Sequence, residues 1–125
     1  MRFPEAARVL SLKGANVILT PTNLPKAAEV YSKVLNRARA CENRSFLVSA
    51  NRIGVEKEVE FIGKSQIIDF SGQILAEADS ESEDIIIANV NLESSYNKHV
   101  VNIPGAYEYD LFKDRRPELY STIIT

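Results

Sequence analysis

The sequence predicts an α+β fold of layered helices and strands. Three observations predict it. Short β-branched runs such as Asn16-Val17-Ile18-Leu19-Thr20 and Ile85-Ile86-Ile87-Ala88-Asn89-Val90 have the composition of buried strands. Apolar residues recur at three- and four-residue steps between Ala27 and Cys41, which is the period of one helix face. The order of elements is helix, strand, helix, then several strands, and that order stacks helices on a sheet. Two or three helices cannot cover both faces of a sheet this apolar, so something further must complete the layers.

Taken in order, Pro4 suits the first turn of a helix, where a missing N–H costs nothing, and Glu5 beside it favours the positive end of the helix dipole. Ala6, Ala7, Val9, Leu10 and Leu12 supply an apolar surface, and Gly14 is a good stop. The strand at 16–20 should be broken by Pro21-Thr22-Asn23-Leu24-Pro25. A helix is expected from about Lys26 to Asn43, with Ala27, Val30, Tyr31, Val34, Ala38 and Cys41 turned inward. Phe46 to Ala50 follows as a strand buried on both faces. The charged stretch from Gly54 to Glu60 reads as a loop, and Phe61 to Phe70 as a strand. Ser71-Gly72 makes a tight turn into its hairpin partner, Gln73 to Glu77. Asp79 to Asp84 is an acidic exposed turn, and Ile85 to Val90 the last strong strand. Beyond Leu92 a short helix near Ser94 to His99 and a turn at Pro104-Gly105 are expected. A C-terminal tail at 106–125 completes a single domain over 1–125 and wraps a surface.

Composition narrows the class. The chain has 125 residues, 45% of them apolar and 26% charged, as in ordinary globular domains. Fifteen basic and 17 acidic residues are well mixed, for a net charge of −2, which gives no nucleic-acid footprint. No apolar run is long enough to span a membrane. The single cysteine, Cys41, rules out an internal disulfide and fits a reducing compartment, with the cytoplasm as default.

Four blocks carry a resemblance. They are Arg2-Phe3-Pro4-Glu5 with Arg8, Gly14 and Ala15 to Ile18; Arg37 to Ala40 with Glu42-Asn43-Arg44 and Ala50 to Gly54; Phe61-Ile62-Gly63-Lys64-Ser65 with Ile67, Asp69 and Gly72; and Asp114-Arg115-Arg116-Pro117-Glu118-Leu119-Tyr120. Together, in this order, they resemble the carbon–nitrogen hydrolases of the nitrilase superfamily. In that family the first block follows the nucleophile in a pattern close to Cys-Tyr-Asp-x-Arg-Phe-Pro-Glu, and Met1 stands here at the x. The resemblance implies a four-layer α/β/β/α sandwich of which this chain is the C-terminal half. It implies hydrolysis of small amides, nitriles and related C–N bonds by Glu, Lys and Cys, with no metal or organic cofactor. All three groups would lie upstream of Met1. The expectation is therefore that no residue of this chain is catalytic, that it is inactive alone, and that only the complete enzyme takes substrate.

The same resemblance marks Pro21, Thr22, Asn23, Asn51 and Arg52, at two strand ends, as pocket-wall candidates. Ordinary loop hydrogen bonding is their alternative role. Arg2, Phe3 and Glu5 would lie near the nucleophile turn, with helix capping an equal role for Glu5. Cys41 is expected to be a small buried apolar residue. A hydrolase built on Cys41 and His99, the lone cysteine and histidine, has no local signature, and one histidine builds no zinc cluster. Asp79, Glu81, Glu83 and Asp84 lack the spacing of a calcium loop. Asp114, Arg115 and Arg116 suit interface ion pairs. A second class of function stays open: a non-catalytic scaffold that forms homo-oligomers or pairs with a separate N-terminal half, since half a sandwich leaves apolar surface and strand edges uncovered.

Overall fold

The computed structural model describes residues 1–124. Helix α1 spans Pro4–Leu12, with Pro4 in its first turn and Glu5 beside it. Gly14, at φ +97°, ends it: its own N–H reaches the carbonyl of Ser11, and the Ala15 N–H reaches that of Leu10. Strand β1, Val17–Thr22, continues through Pro21 instead of breaking there. It lies at a sheet edge, paired among the described residues only with the next strand, so the missing proline N–H removes no essential ladder bond.

The expected helix at 26–43 is present in three pieces. A 3-10 turn at Lys26–Ala28 leads to a π-helical turn at Tyr31–Leu35 and then to α2, Asn36–Asn43. Its orientation departs from expectation. Val30 and Val34 are 51% and 55% exposed and Cys41 faces solvent, whereas Ser32, Asn36, Arg39, Ala40 and Asn43 are buried. The inward face is polar because its partners are polar: Asn36 Nδ2 donates to Gln66 at 3.4 Å, and Asn43 Nδ2 to the Arg39 carbonyl at 2.9 Å. Arg39 pairs with Glu42 at 3.0 Å.

The main sheet combines β1, β2 (Phe46–Asn51), β5 (Gln66–Ile68) and β6 (Ile74–Glu77), in that order. The pair β1–β2 is parallel, joined through the helical segment, and the other pairs are antiparallel. Ile18, Leu47 and Ile68 stand side by side in register and are at most 2% exposed. Leu47 and Ile68 form with Ala40 of α2 the core cluster between helix and sheet. Alternation puts Leu19, Val48 and Ile67 on the opposite face. Leu19 there is 69% exposed, and Ala50 of the same face is also exposed. Burial of β2 on both faces is thus only partial.

Three further expectations are corrected. The stretch read as a loop at 54–60 is a hairpin of β3 (Ile53–Glu56) and β4 (Val59–Ile62), closed by Lys57 at φ +55°. Charged residues mask the alternation of Ile53, Val55, Val59 and Phe61. The strand expected at 61–70 is accordingly split between β4 and β5 by a turn at Gly63. The strand expected at Ile85–Val90 does not form. Ile85 and Ile87 are 86% and 80% exposed, and among the described residues no strand runs beside them.

A 3-10 turn at Leu92–Ser95 precedes a second hairpin, β7 (His99–Ile103) and β8 (Tyr107–Asp110), around the expected turn at Pro104-Gly105. Short 3-10 turns at Pro117–Leu119 and Ser121–Ile124 follow. Lys98 of this region and Arg8 of α1 both reach the carbonyl end of α2. Lys98 Nζ donates to the Asn43 and Arg44 carbonyls at 3.1 and 2.8 Å, and Arg8 Nη2 to that of Glu42 at 2.6 Å. Positive charge belongs at a helix C-terminus. No helix among the described residues is long and apolar enough to cross a membrane.

Candidate functional site

Parallel pairing brings the C-terminal ends of β1 and β2 to one edge of the sheet, with Thr22 opposite Asn51. In layered α/β sheets, crevices beyond such strand ends are where ligands sit. A cavity of about 290 Å³ opens here, lined by Met1, Leu19, Thr20, Pro21, Thr22, Leu24 and Asn36. The N-terminal residue and the β1 end are therefore one site. Burial, and then the Arg39 guanidinium, lowers the Met1 ammonium below its ordinary pKa. Arg39 Nη2 also donates to the Arg2 carbonyl at 3.3 Å, tying the N-terminal segment to α2.

A larger cleft of about 950 Å³ lies on the other side of the β2 end. Asn51, Arg52, Ile53, Ser65 and Ala78 line it, with Asp79, Ser82, Glu83, Asp84 and Ile85. Its acidic rim is committed locally. Asp79 accepts from the backbone N–H groups of Ser82 and Glu81, which hold its carboxyl below the usual range. Arg52 is engaged by Glu56 at 2.5 Å and stacks over the Phe61 ring at 4.8 Å.

Four of the five pocket-wall candidates thus divide between two cavities, and the fifth, Asn23, lines neither. Pro21 and Thr22 line the smaller one beside Met1, and Asn51 and Arg52 the larger, while Asn23 is exposed on the connecting loop. Arg2 turns to Tyr31, its Nε 2.5 Å from the phenolic oxygen. Phe3 is 67% exposed, and Glu5 sits in the first turn of α1, where the dipole favours it. Cys41 shares a shallow cleft with Lys33, Val34, Arg37, Ala38, Ser71 and Gly72. His99 stands on β7, its Nε2 2.8 Å from Glu108. The two therefore sit in different places, Cys41 in the cleft beside α2 and His99 on β7 paired with Glu108. Arg115 donates to the Phe112 carbonyl, Arg116 pairs with Glu118, and Asp114 accepts the Asp110 N–H, all within this chain. Among the described residues no group of three or more His, Cys, Asp or Glu is placed to hold a metal ion.

Sequence reasoning passed over Met1, Thr20 and Asn36 as cavity residues. Thr20 and Asn36 carried no motif signal. Their roles emerge only when β1, the π-turn and α2 are placed together. Thr20 Oγ1 is bonded to the Val48 carbonyl at 3.3 Å. The arrangement offers shape, a threonine-rich strand end and an amide.

The family model described as Carbon-nitrogen hydrolase matches residues 1–98. The chain is 39% identical to a nitrilase of Pyrococcus abyssi over 118 residues, 94% of this chain and 42% of that protein. It is 44% identical to a 2-oxoglutaramate amidase of Paenarthrobacter nicotinovorans over 94 residues, 75% of this chain and 32% of that one. It therefore spans less than half the length of these relatives. Among solved structures it is similar to a mutant of the amidase from Nesterenkonia sp. AN1 that shows covalent addition of an acetamide moiety at the active site cysteine. The TM-score is 0.77 at 29% identity, covering 96% of this chain and 39% of that one. The α+β layering described above is the fold of these amidases.

Proposed function

The chain belongs to the carbon–nitrogen hydrolase family, and from that premise we propose that it forms the part of such an enzyme that follows the nucleophilic cysteine. The observation that carries this reading is the cavity shared by Met1 and the β1 end. Met1 precedes Arg2-Phe3-Pro4-Glu5, so a cysteine preceding that run at the family spacing would stand at the mouth of this cavity. Leu19, Thr20, Pro21 and Thr22 then form one wall of the substrate site. The reaction is hydrolysis of a small amide or nitrile. The thiolate adds to the carbon, Glu moves the proton, and Lys stabilises the charge that develops. From an amide, nitrogen leaves as ammonia or an amine and a thioester remains; from a nitrile, the thioimidate first takes up one water before ammonia leaves; in both cases a further water then releases the acyl group from sulfur as the acid. Two of the relatives named above are amidases, which favours amides as the first substrates to try.

The Glu, Lys and Cys of this chemistry come from polypeptide outside these 125 residues. That polypeptide also covers the face of the sheet that carries Leu19, Val48 and Ile67. Without it, the exposed apolar face drives the chain to associate with itself. The setting is cytoplasmic, consistent with a lone thiol.

The test is turnover of an amide and nitrile panel by this chain alone. No hydrolysis is expected. Turnover that disappears in Cys41→Ala would overturn the assignment, because the reacting thiol would then be internal.

A further inference from the structure

The geometry points to Asn51 as the positioning residue for the wall of the Met1 cavity. Its side chain bridges two segments that are otherwise separate in sequence. Oδ1 accepts the Leu24 N–H at 2.8 Å, and Nδ2 donates to the Gly63 carbonyl at 2.6 Å. Leu24 lines the cavity, two residues beyond the Pro21-Thr22 wall. Its carbonyl in turn accepts the Ile62 N–H at 3.1 Å, so Leu24 is held on both sides.

The second attachment is itself fixed. Gly63 lies at φ +59°, and a Cβ added there would fall 2.7 Å from Ile53 Cγ2 and 2.8 Å from the Asp79 carbonyl oxygen. The close approach and the positive φ favour glycine here, and the Gly63 N–H donates to the Arg52 carbonyl at 2.9 Å, tethering the residue whose carbonyl receives Asn51 Nδ2. Ser65 holds the Asn51 backbone: its Oγ accepts the Asn51 N–H at 2.9 Å and donates to the Asn51 carbonyl at 3.3 Å. The glycine and serine of Phe61-Ile62-Gly63-Lys64-Ser65 thus both serve Asn51, which gives that block a mechanical role.

The chemistry selects asparagine. One donor and one acceptor, a fixed distance apart, must serve opposite neighbours. An ionised aspartate would set a carboxylate oxygen against the Gly63 carbonyl. Asn51 acts through Leu24 and touches no reacting atom. Its consequence for catalysis rests on the hydrolase reading above, but the placement of the loop does not.

The test is amide NMR with hydrogen exchange on this chain. In Asn51→Ala, the Leu24 and Ile62 amides are expected to shift and to exchange about tenfold faster, the worth of a typical hydrogen bond. The Leu47 and Ile68 amides in the core should keep their rates. In Asn51→Asp, the ionised carboxylate still accepts the Leu24 N–H but repels the Gly63 carbonyl, so above the titration of the introduced carboxyl the Lys64 amide, in the same peptide plane as that carbonyl, should shift and exchange faster. This amide should return toward wild type at matched pH below that titration, where the neutral acid again offers one donor and one acceptor. An unmoved Leu24, or equal acceleration of Leu24, Leu47 and Ile68, would overturn the assignment. If Asn51→Ala does not fold, the aspartate series decides alone, and absence of the low-pH return counts against the clamp. No substrate enters these measurements, so failure of the hydrolase reading and failure of the clamp remain distinguishable.

Discussion

Leucines on the two faces of the main sheet should respond oppositely to substitution. Leu47 is fully buried under α2, whereas Leu19 is 69% exposed on the other face. Fully burying a leucine is worth about 1.5–3 kcal/mol, so at this exposure roughly 1–2 kcal/mol remains for Leu19 to gain against a partner. That corresponds to about a 5- to 30-fold change in association. Leu19→Gln should leave the stability of the isolated chain within about 0.5 kcal/mol of wild type. Leu47→Ala should cost about 2–5 kcal/mol through lost burial and the cavity left behind. Urea denaturation followed by circular dichroism at low concentration measures the first quantity, and light scattering over a concentration series measures association. A Leu19→Gln variant that unfolds as early as Leu47→Ala would show that this face is already covered. Association unmoved by Leu19→Gln would show that the face is not the contact.

Gly63→Ala should destabilise the chain by about 1–3 kcal/mol, because the new methyl overpacks against Ile53 and the Asp79 carbonyl; an unchanged urea midpoint would contradict the close approach. Burial, then Arg44 and Arg8, pull the Lys98 amine down to about 8. Between about pH 8 and the free-lysine value near 10.4, the unfolded chain holds a proton that the folded chain lacks, so stability should rise with pH across that window. Lys98→Met should flatten that slope in urea midpoints, and a slope retained in the variant would exclude Lys98 as its source. Cys41 is exposed, so a thiol reagent should titrate it fully without denaturant; labelling that needs urea would place it back in the interior.

How far the fold was legible depended on whether local chemistry or a distant partner decided each element. Helix α1 was bounded by Pro4 and Gly14, whose backbone preferences act within one turn. The turn at Ser71-Gly72 was equally local, with Asp69 Oδ1 accepting the Ser71 and Gln73 N–H groups. The inward face of α2 was not legible, because Gln66, thirty residues away, rewards a polar residue at Asn36. The hairpin of β3 and β4 hid behind Glu56, Lys57, Glu58 and Glu60, which point to solvent without preventing pairing. Ile85 to Val90 has the composition of a strand, but composition cannot supply a neighbouring strand to bond with. At the site, Pro21 and Thr22 could be marked as a strand end. Their union with Met1 in one cavity needed the parallel pairing of β1 with β2, and the role of Asn51 needed the positions of Leu24 and Gly63.

The decisive measurement supplies this chain with a separate polypeptide matching the upstream part of a relative, with its Glu, Lys and Cys, and follows release of ammonia from a simple amide. Hydrolysis should appear only in the mixture, survive Cys41→Ala here, and vanish when the upstream cysteine becomes alanine. Ammonia release by this chain unaided, lost on Cys41→Ala, would contradict the assignment at its root.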